Sequence, residues 1–179
     1  MRPWLILLGI MVFSLARFGH AAEIKTGRKE LRMDDSKSIT LHPIGEVKRE
    51  GDRAFLTILP QFAPALDGLA GFSHVWVLYW FHGNDRPEER ATLKVHPRRD
   101  PANPLTGVFA TRAPERPNLI GLCACRILKL TGNVLEVADL DAQDGSPLLD
   151  LKPYIPKGDS FPEAITPEWV KRPRPSATE

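Results

Sequence analysis

Two stretches of the chain concentrate the side chains best suited to chemistry. The first runs from Gly107 to Gly121 and holds Arg112, Glu115, Arg116 and Asn118 between prolines; the second runs from Asp141 to Tyr154 and holds Asp144, Gly145, Ser146, Pro147, Asp150 and Lys152. An arginine fork suits a carboxylate or phosphate through paired hydrogen bonds. A Gly-Ser-Pro turn lets a ligand come close to the backbone, because glycine carries no side chain there. The competing reading is structural: the same arginines and aspartates can tie one end of the fold together by buried pairing. His82 is a further candidate, since it ends an aromatic run and is followed by Gly83-Asn84-Asp85, where a loop can open onto a ligand. If that run is a regular strand, His74 and His82 share one face with Phe72, Trp76, Leu78 and Trp80.

Other groupings carry less. Cys123 and Cys125 lie one residue apart on an expected strand, so they face the same way about 7 Å apart and are badly placed to bridge. Two thiols with no histidine nearby in sequence read as small core residues rather than a zinc site. Asp139, Asp141, Asp144 and Asp150 form the densest carboxylate group. The step from Asp141 to Asp144 breaks the alternation a calcium loop needs before its glycine, and no metal site is expected. Paired carboxylates can serve acid–base hydrolysis, but nothing in the spacing fixes their separation. No Gly-x-Gly-x-x-Gly, phosphate loop or Gly-x-Ser-x-Gly elbow occurs.

The elements that must position these residues read as mostly β. With 17 prolines in 179 residues, long helices have little room. Strands are expected at Ser38 to Val47 and Ala54 to Leu59, joined as a hairpin through Gly51-Asp52, followed by a short helix within Pro60 to Leu69. Phe72 to His82 is apolar on both alternating faces, as a covered central strand would be. Thr92 to Val95 and Gly107 to Thr111 are further strand candidates, and Ile120 to Leu130 and Val134 to Val137 flank a Gly132-Asn133 turn. The spacing is too short for repeated helical crossovers, so a closed or partly closed barrel is expected to solve the edge problem.

Charge separates the ends from the middle. Formal net charge is +2, yet residues 1–32 carry +4 and the rest of the chain −2. Any polyanion would therefore be held by a local patch such as Lys94, His96, Arg98, Arg99, Arg112 and Arg116, which otherwise reads as solvated loop charge. Residues 1–32 have two readings. The apolar stretch Trp4 to Leu15 before Gly19-His20-Ala21 resembles a signal peptide cleaved before Ala22, which would make the protein periplasmic or secreted. Alternatively, translation starts at Met33, two codons after a Lys29-Glu30 pair that can encode a ribosome-binding purine run; residues 1–32 are then an upstream extension and the protein is cytoplasmic. No apolar run is long enough for a stable membrane span. A domain over residues 33–160 and a proline-rich, basic, flexible tail over 161–179 complete the expected organisation.

The two polar stretches resemble the two signature blocks of the TsaA-like family. Phe72-Ser73-His74-Val75-Trp76, ending at Phe81-His82, resembles a third block, and Ile44-Gly45-Glu46-Val47 is similar to the family's opening strand. The resemblance runs from about Ile39 to Asp159. It implies a small TsaA-like β-barrel with a few short helices, pairing as a homodimer. It further implies an S-adenosyl-L-methionine-dependent methyltransferase acting on N6 of threonylcarbamoyl-adenosine beside the tRNA anticodon. That base is unpaired in its loop, which lowers the cost of exposing it. The resemblance places His82, Arg112, Leu122, Gly145, Ser146, Pro147 and Leu148 around the methyl donor. Arg116, Asn118, Asp150, Lys152 and Tyr154 would lie nearer the acceptor, with no catalytic residue singled out.

The chain departs from the family pattern in two places. Members carry a longer loop after the opening strand, with an Arg-Gln-Pro-Gly-like element at the donor, where this chain has only Val47 to Arg53 before the next strand. The proline usual after the motif asparagine is here Leu119. An alternative function is therefore an exported or catalytically altered barrel that binds a small metabolite without methylating tRNA. A third, an interaction module using the basic tail and the aromatic strand, rests on generic features.

Overall fold

The computed structural model describes residues 39–172. Both readings of residues 1–32, the Met33 start and the end of the basic tail lie outside the described residues. From Thr40 onward the chain forms one unit.

Alternation of apolar and polar residues builds the barrel. Its strands are β1 (Gly45–Glu50), β2 (Arg53–Ile58), β3 (His74–Trp80), β6 (Ile120–Thr131), β7 (Val134–Ala138) and β8 (Pro147–Pro153), and the short β4 (Lys94–Val95) and β5 (Thr106–Gly107) form a separate two-stranded ribbon. The barrel closes in the order β1-β2-β7-β6-β3-β8, every neighbour antiparallel, with β8 returning to β1 through Gly45 opposite Leu148. Period-2 alternation sends Val47, Leu56, Val75, Val77, Leu135, Val137 and Leu148 inward, where all are fully buried. Closure leaves no open edge to pair with another chain.

The expected hairpin forms, with β1 and β2 in register around Gly51-Asp52. Its first strand is described from Gly45, whereas the sequence suggested Ser38, a residue outside those described; residues 39–43 are exposed and outside the sheet, and Ile44 N–H reaches Leu148 O at 2.8 Å. The helix expected after Pro60 is a 3-10 turn, Pro60–Leu66, with a second at Leu69–Gly71. The strand expected over Gly107 to Thr111 is corrected: β5 ends at Gly107, and Val108–Ala110 curls into a 3-10 turn. The cause is hydrogen bonding. Val108 N–H reaches back to Leu93 O, and both the N–H and the hydroxyl of Thr111 reach Val108 O.

Between β3 and β6 the chain makes a long excursion containing helix α1 (Pro87–Ala91) and the β4–β5 ribbon. Its base is closed by Phe81 N–H on Leu119 O at 2.8 Å. After β8 come two short helices, α2 (Pro156–Asp159) and α3 (Glu168–Lys171). Near the last described residues, two carbonyls are held by the excursion. Arg98 Nη2 donates to Val170 O at 2.7 Å and Nη1 to Arg172 O at 2.5 Å.

Candidate functional site

At one end of the barrel, β3, the end of the excursion, the start of β6 and the loop after β7 enclose a pocket of about 410 Å³. That lies within the several-hundred-Å³ range of small-molecule sites. Its polar wall comes from Arg112, Arg116 and Asn118, its apolar wall from Leu78, Phe81 and Leu122, and Phe109 stands at it with 82% of its surface exposed. Arg116 is braced by a 3.2 Å bond to Ala113 O, whereas Arg112 makes no hydrogen bond or ion pair among the described residues. The Arg112 side chain is exposed, and its fork can reach a carboxylate or phosphate through paired hydrogen bonds.

Tyr79 and Asp141 complete this pocket; the sequence offers Asp141 only as one of four clustered aspartates and gives no reason to place Tyr79 at a site. Tyr79 points inward from β3 and is 2% exposed; its hydroxyl donates to Asp141 Oδ1 at 2.6 Å. Burial, reinforced by that carboxylate, pushes the phenol well above its ordinary value. The ring fits because its cross-strand partner is Gly121: a β-carbon there would lie 2.4 to 2.8 Å from the tyrosine ring. Phe81 meets the ring edge-on at 5.3 Å. The signal available in the sequence was a tyrosine among inward valines opposite a strand glycine, but alternation alone reads it as core.

Cys123 and Cys125 follow Gly121 on the same strand and remain free thiols. Cys123 Sγ lies 3.1 Å from Asp139 O. The Cys125 thiol beside it draws Cys123 below its ordinary value, while that contact and burial push Cys125 up.

The nominated residues divide between several places. Arg112, Leu122, Arg116 and Asn118 share the pocket. Gly145 and Pro147 instead line a second, more open concavity of about 470 Å³ with Glu46, Lys48 and Thr57 of the hairpin. The Gly-Ser-Pro turn is tied to β1: Gly145 N–H donates to Val47 O at 2.8 Å, and Val47 N–H to Ser146 O at 2.9 Å. With Ser146 N–H on Gln143 O, the turn offers a close surface but no free N–H at Gly145 or Ser146. Gly145 holds φ +74°, a left-handed conformation that favours glycine.

His82 lines neither concavity but reaches the Gly-Ser-Pro turn. The chain leaves β3 at Trp80 and turns through His82–Asn84, so His82 does not share the outward face of His74. Its Nδ1 lies 3.2 Å from the hydroxyl of buried Ser146. Leu148 is fully buried in the barrel core. Asp150 and Lys152 form an exposed ion pair at 2.7 Å opposite Leu78 and Trp76, and Tyr154 packs against the rings of His74 and Trp76 at 6.0 and 5.6 Å. Arg49 fastens the intervening loop, its N–H on Asp144 Oδ1 at 2.7 Å and its guanidinium on Leu140 O at 2.6 Å.

This barrel and these blocks match known proteins. Residues 37–160 match the family model described as the tRNA-methyltransferase O N-terminal domain. A probable S-adenosyl-L-methionine-binding protein of Methanocaldococcus jannaschii is 44% identical over 119 residues, 66% of this chain and 94% of that protein. A mouse tRNA (adenine(37)-N6)-methyltransferase is 45% identical over 96 residues, covering 54% of this chain and 22% of the mouse protein. A crystal structure of TrmO from Pseudomonas aeruginosa superposes with a TM-score of 0.59 at 30% identity, over 78% of this chain and 64% of that one. On the match across residues 37–160, the chain belongs to the family of the tRNA-methyltransferase O N-terminal domain.

Proposed function

We propose that the protein is an S-adenosyl-L-methionine-dependent methyltransferase that modifies N6 of threonylcarbamoyl-adenosine next to the tRNA anticodon. Support comes from relatives named as S-adenosyl-L-methionine-binding proteins and as a tRNA (adenine(37)-N6)-methyltransferase. The observation that carries the reading is the pocket itself, where Arg112, Arg116 and Asn118 converge beside exposed Phe109. The donor brings an already activated methyl group, so the protein's task is alignment. Arg112 and Leu122 hold the donor, with the Gly145-Ser146-Pro147 turn and His82 on its other side. Arg116 and Asn118 address the acceptor, Arg116 matching the threonyl carboxylate by a forked bond. A base stacked on Phe109 has an aromatic platform, as single-stranded nucleic acid requires.

Because Gly145 and Pro147 line a different concavity from Arg112, a homodimer would join the two surfaces into one donor site. Such an enzyme works in the cytoplasm, where its tRNA and donor are. No helix among the described residues is long and apolar enough to cross a membrane. A second reading, a barrel that binds a small metabolite without methylating tRNA, draws on the hairpin, where β1 passes to β2 through two residues. One experiment separates them. The purified full chain is incubated with methyl-labelled donor and tRNA carrying threonylcarbamoyl-adenosine, and the nucleosides are weighed by mass spectrometry. One added methyl on that nucleoside supports the methyltransferase; donor binding without transfer supports the metabolite-binding barrel.

A further inference from the structure

The methyltransferase reading leaves one chemical requirement unassigned. A nitrogen conjugated with both a purine ring and a carbamoyl carbonyl is a poor nucleophile until its proton leaves, so a group at the acceptor must take that proton. The pocket contains one carboxylate, Asp141. Its Oδ1 accepts the Tyr79 hydroxyl at 2.6 Å, which fixes the carboxyl group and leaves Oδ2 as the oxygen able to accept a proton. Tyr79 is fixed in turn: β3 carries it, Gly121 gives its ring room, and Phe81 abuts its edge. A reactive group locked by packing and an orienting hydrogen bond is what precise proton transfer needs.

Resting on that reading, we propose that Asp141 is the general base of the methyl transfer and Tyr79 its positioning residue. In the step, Asp141 Oδ2 takes the N6 proton while the nitrogen electron pair forms the new bond to the methyl carbon. The carbon–sulfur bond breaks and its electron pair stays on sulfur, which becomes neutral; Asp141 ends protonated. The titratable groups that interact with this carboxylate are Tyr79 from β3 and Cys123 and Cys125 from β6; Arg112 and Arg116 line the same pocket, and Asp139 stands two residues before it in its own loop.

The test uses full-length wild type, Asp141→Asn and Tyr79→Phe in single-turnover methylation of tRNA across pH, with donor and tRNA affinities measured by calorimetry and folding by thermal melting. Asp141→Asn is expected to slow the single-turnover rate by roughly 100-fold or more, the usual share of a general base. Both affinities stay within about 3-fold, and the acid-side limb that a carboxylate base is expected to give the wild-type rate is absent from the variant. Tyr79→Phe, the variant that decides if Asp141→Asn does not fold, lowers kcat about 10-fold with KM for the donor unchanged. A full rate in Asp141→Asn, loss of donor binding in proportion to rate, or an unchanged kcat in Tyr79→Phe overturns the assignment. An inactive wild type overturns the methyltransferase reading and the base with it, and that result is read before any variant is compared.

Discussion

Gly121 and Tyr79 face each other across β6 and β3 so closely that a β-carbon on the glycine would sit 2.4 Å from the tyrosine ring. Gly121→Ala therefore forces the ring aside. Overpacking of this kind costs about 1–3 kcal/mol, and chemical denaturation should show a loss in that range with an unchanged slope. The displaced ring also withdraws its hydroxyl from Asp141, so methylation should fall further than stability does. An alanine variant as stable as wild type would mean that the strand pair yields at no cost.

Arg112 stands in the pocket with no partner among the described residues. If Arg112 holds the donor as proposed, replacing it with alanine removes a charge-assisted contact to the ligand without unpairing another side chain. Calorimetry should find S-adenosylmethionine binding weakened by roughly 10- to 150-fold, from a contact worth about 1.5–3 kcal/mol. The melting temperature should hardly move. A flat comparison between wild type and variant would remove Arg112 from the donor site.

Phe109 is 82% exposed at the same pocket. A stacking platform is worth about 1–3 kcal/mol per base, so Phe109→Ala should weaken binding of an anticodon stem-loop by roughly 5- to 150-fold and leave donor binding alone. Fluorescence anisotropy with a labelled stem-loop reads this directly. Equal loss for donor and stem-loop would show that the ring supports the whole pocket instead.

Tyr79 makes stability fall at alkaline pH. Its folded phenol is held well above the ordinary value by burial, first, and then by the Asp141 contact. Above about pH 10 an unfolded tyrosine releases its proton while the folded one keeps it. The folded state then binds more protons, so the stabilisation is complete below the unfolded value and is lost as pH rises beyond it. Denaturation followed from pH 8 to 11 should show this slope in wild type and a shallower one in Tyr79→Phe. Identical slopes would place the phenol in a solvated setting.

Much of the scaffold is legible in the amino-acid order because a barrel is governed by local rules. The hairpin through Gly51-Asp52, the covered strand around Val75 and Val77, and the pair flanking Gly132-Asn133 all follow from alternation and turn chemistry. The Val108–Ala110 turn was hidden because its shape depends on Leu93, fifteen residues earlier in the chain. The pocket was half legible. Arg112, Arg116 and Asn118 announce themselves as unusual polar residues in a proline-rich stretch. Asp141 stands among several aspartates with nothing local to single it out, and only the folded barrel brings Tyr79 to it.

The bond between Phe81 N–H and Leu119 O seals the excursion at its root, between two strands that are already neighbours. Phe109 and both pocket arginines lie on the excursion beyond that seal, while Tyr79 sits on the barrel strand β3. The pocket thus has three origins: a barrel strand carries the tyrosine, the loop after β7 carries its carboxylate, and the sealed excursion brings the arginines and the exposed ring to them.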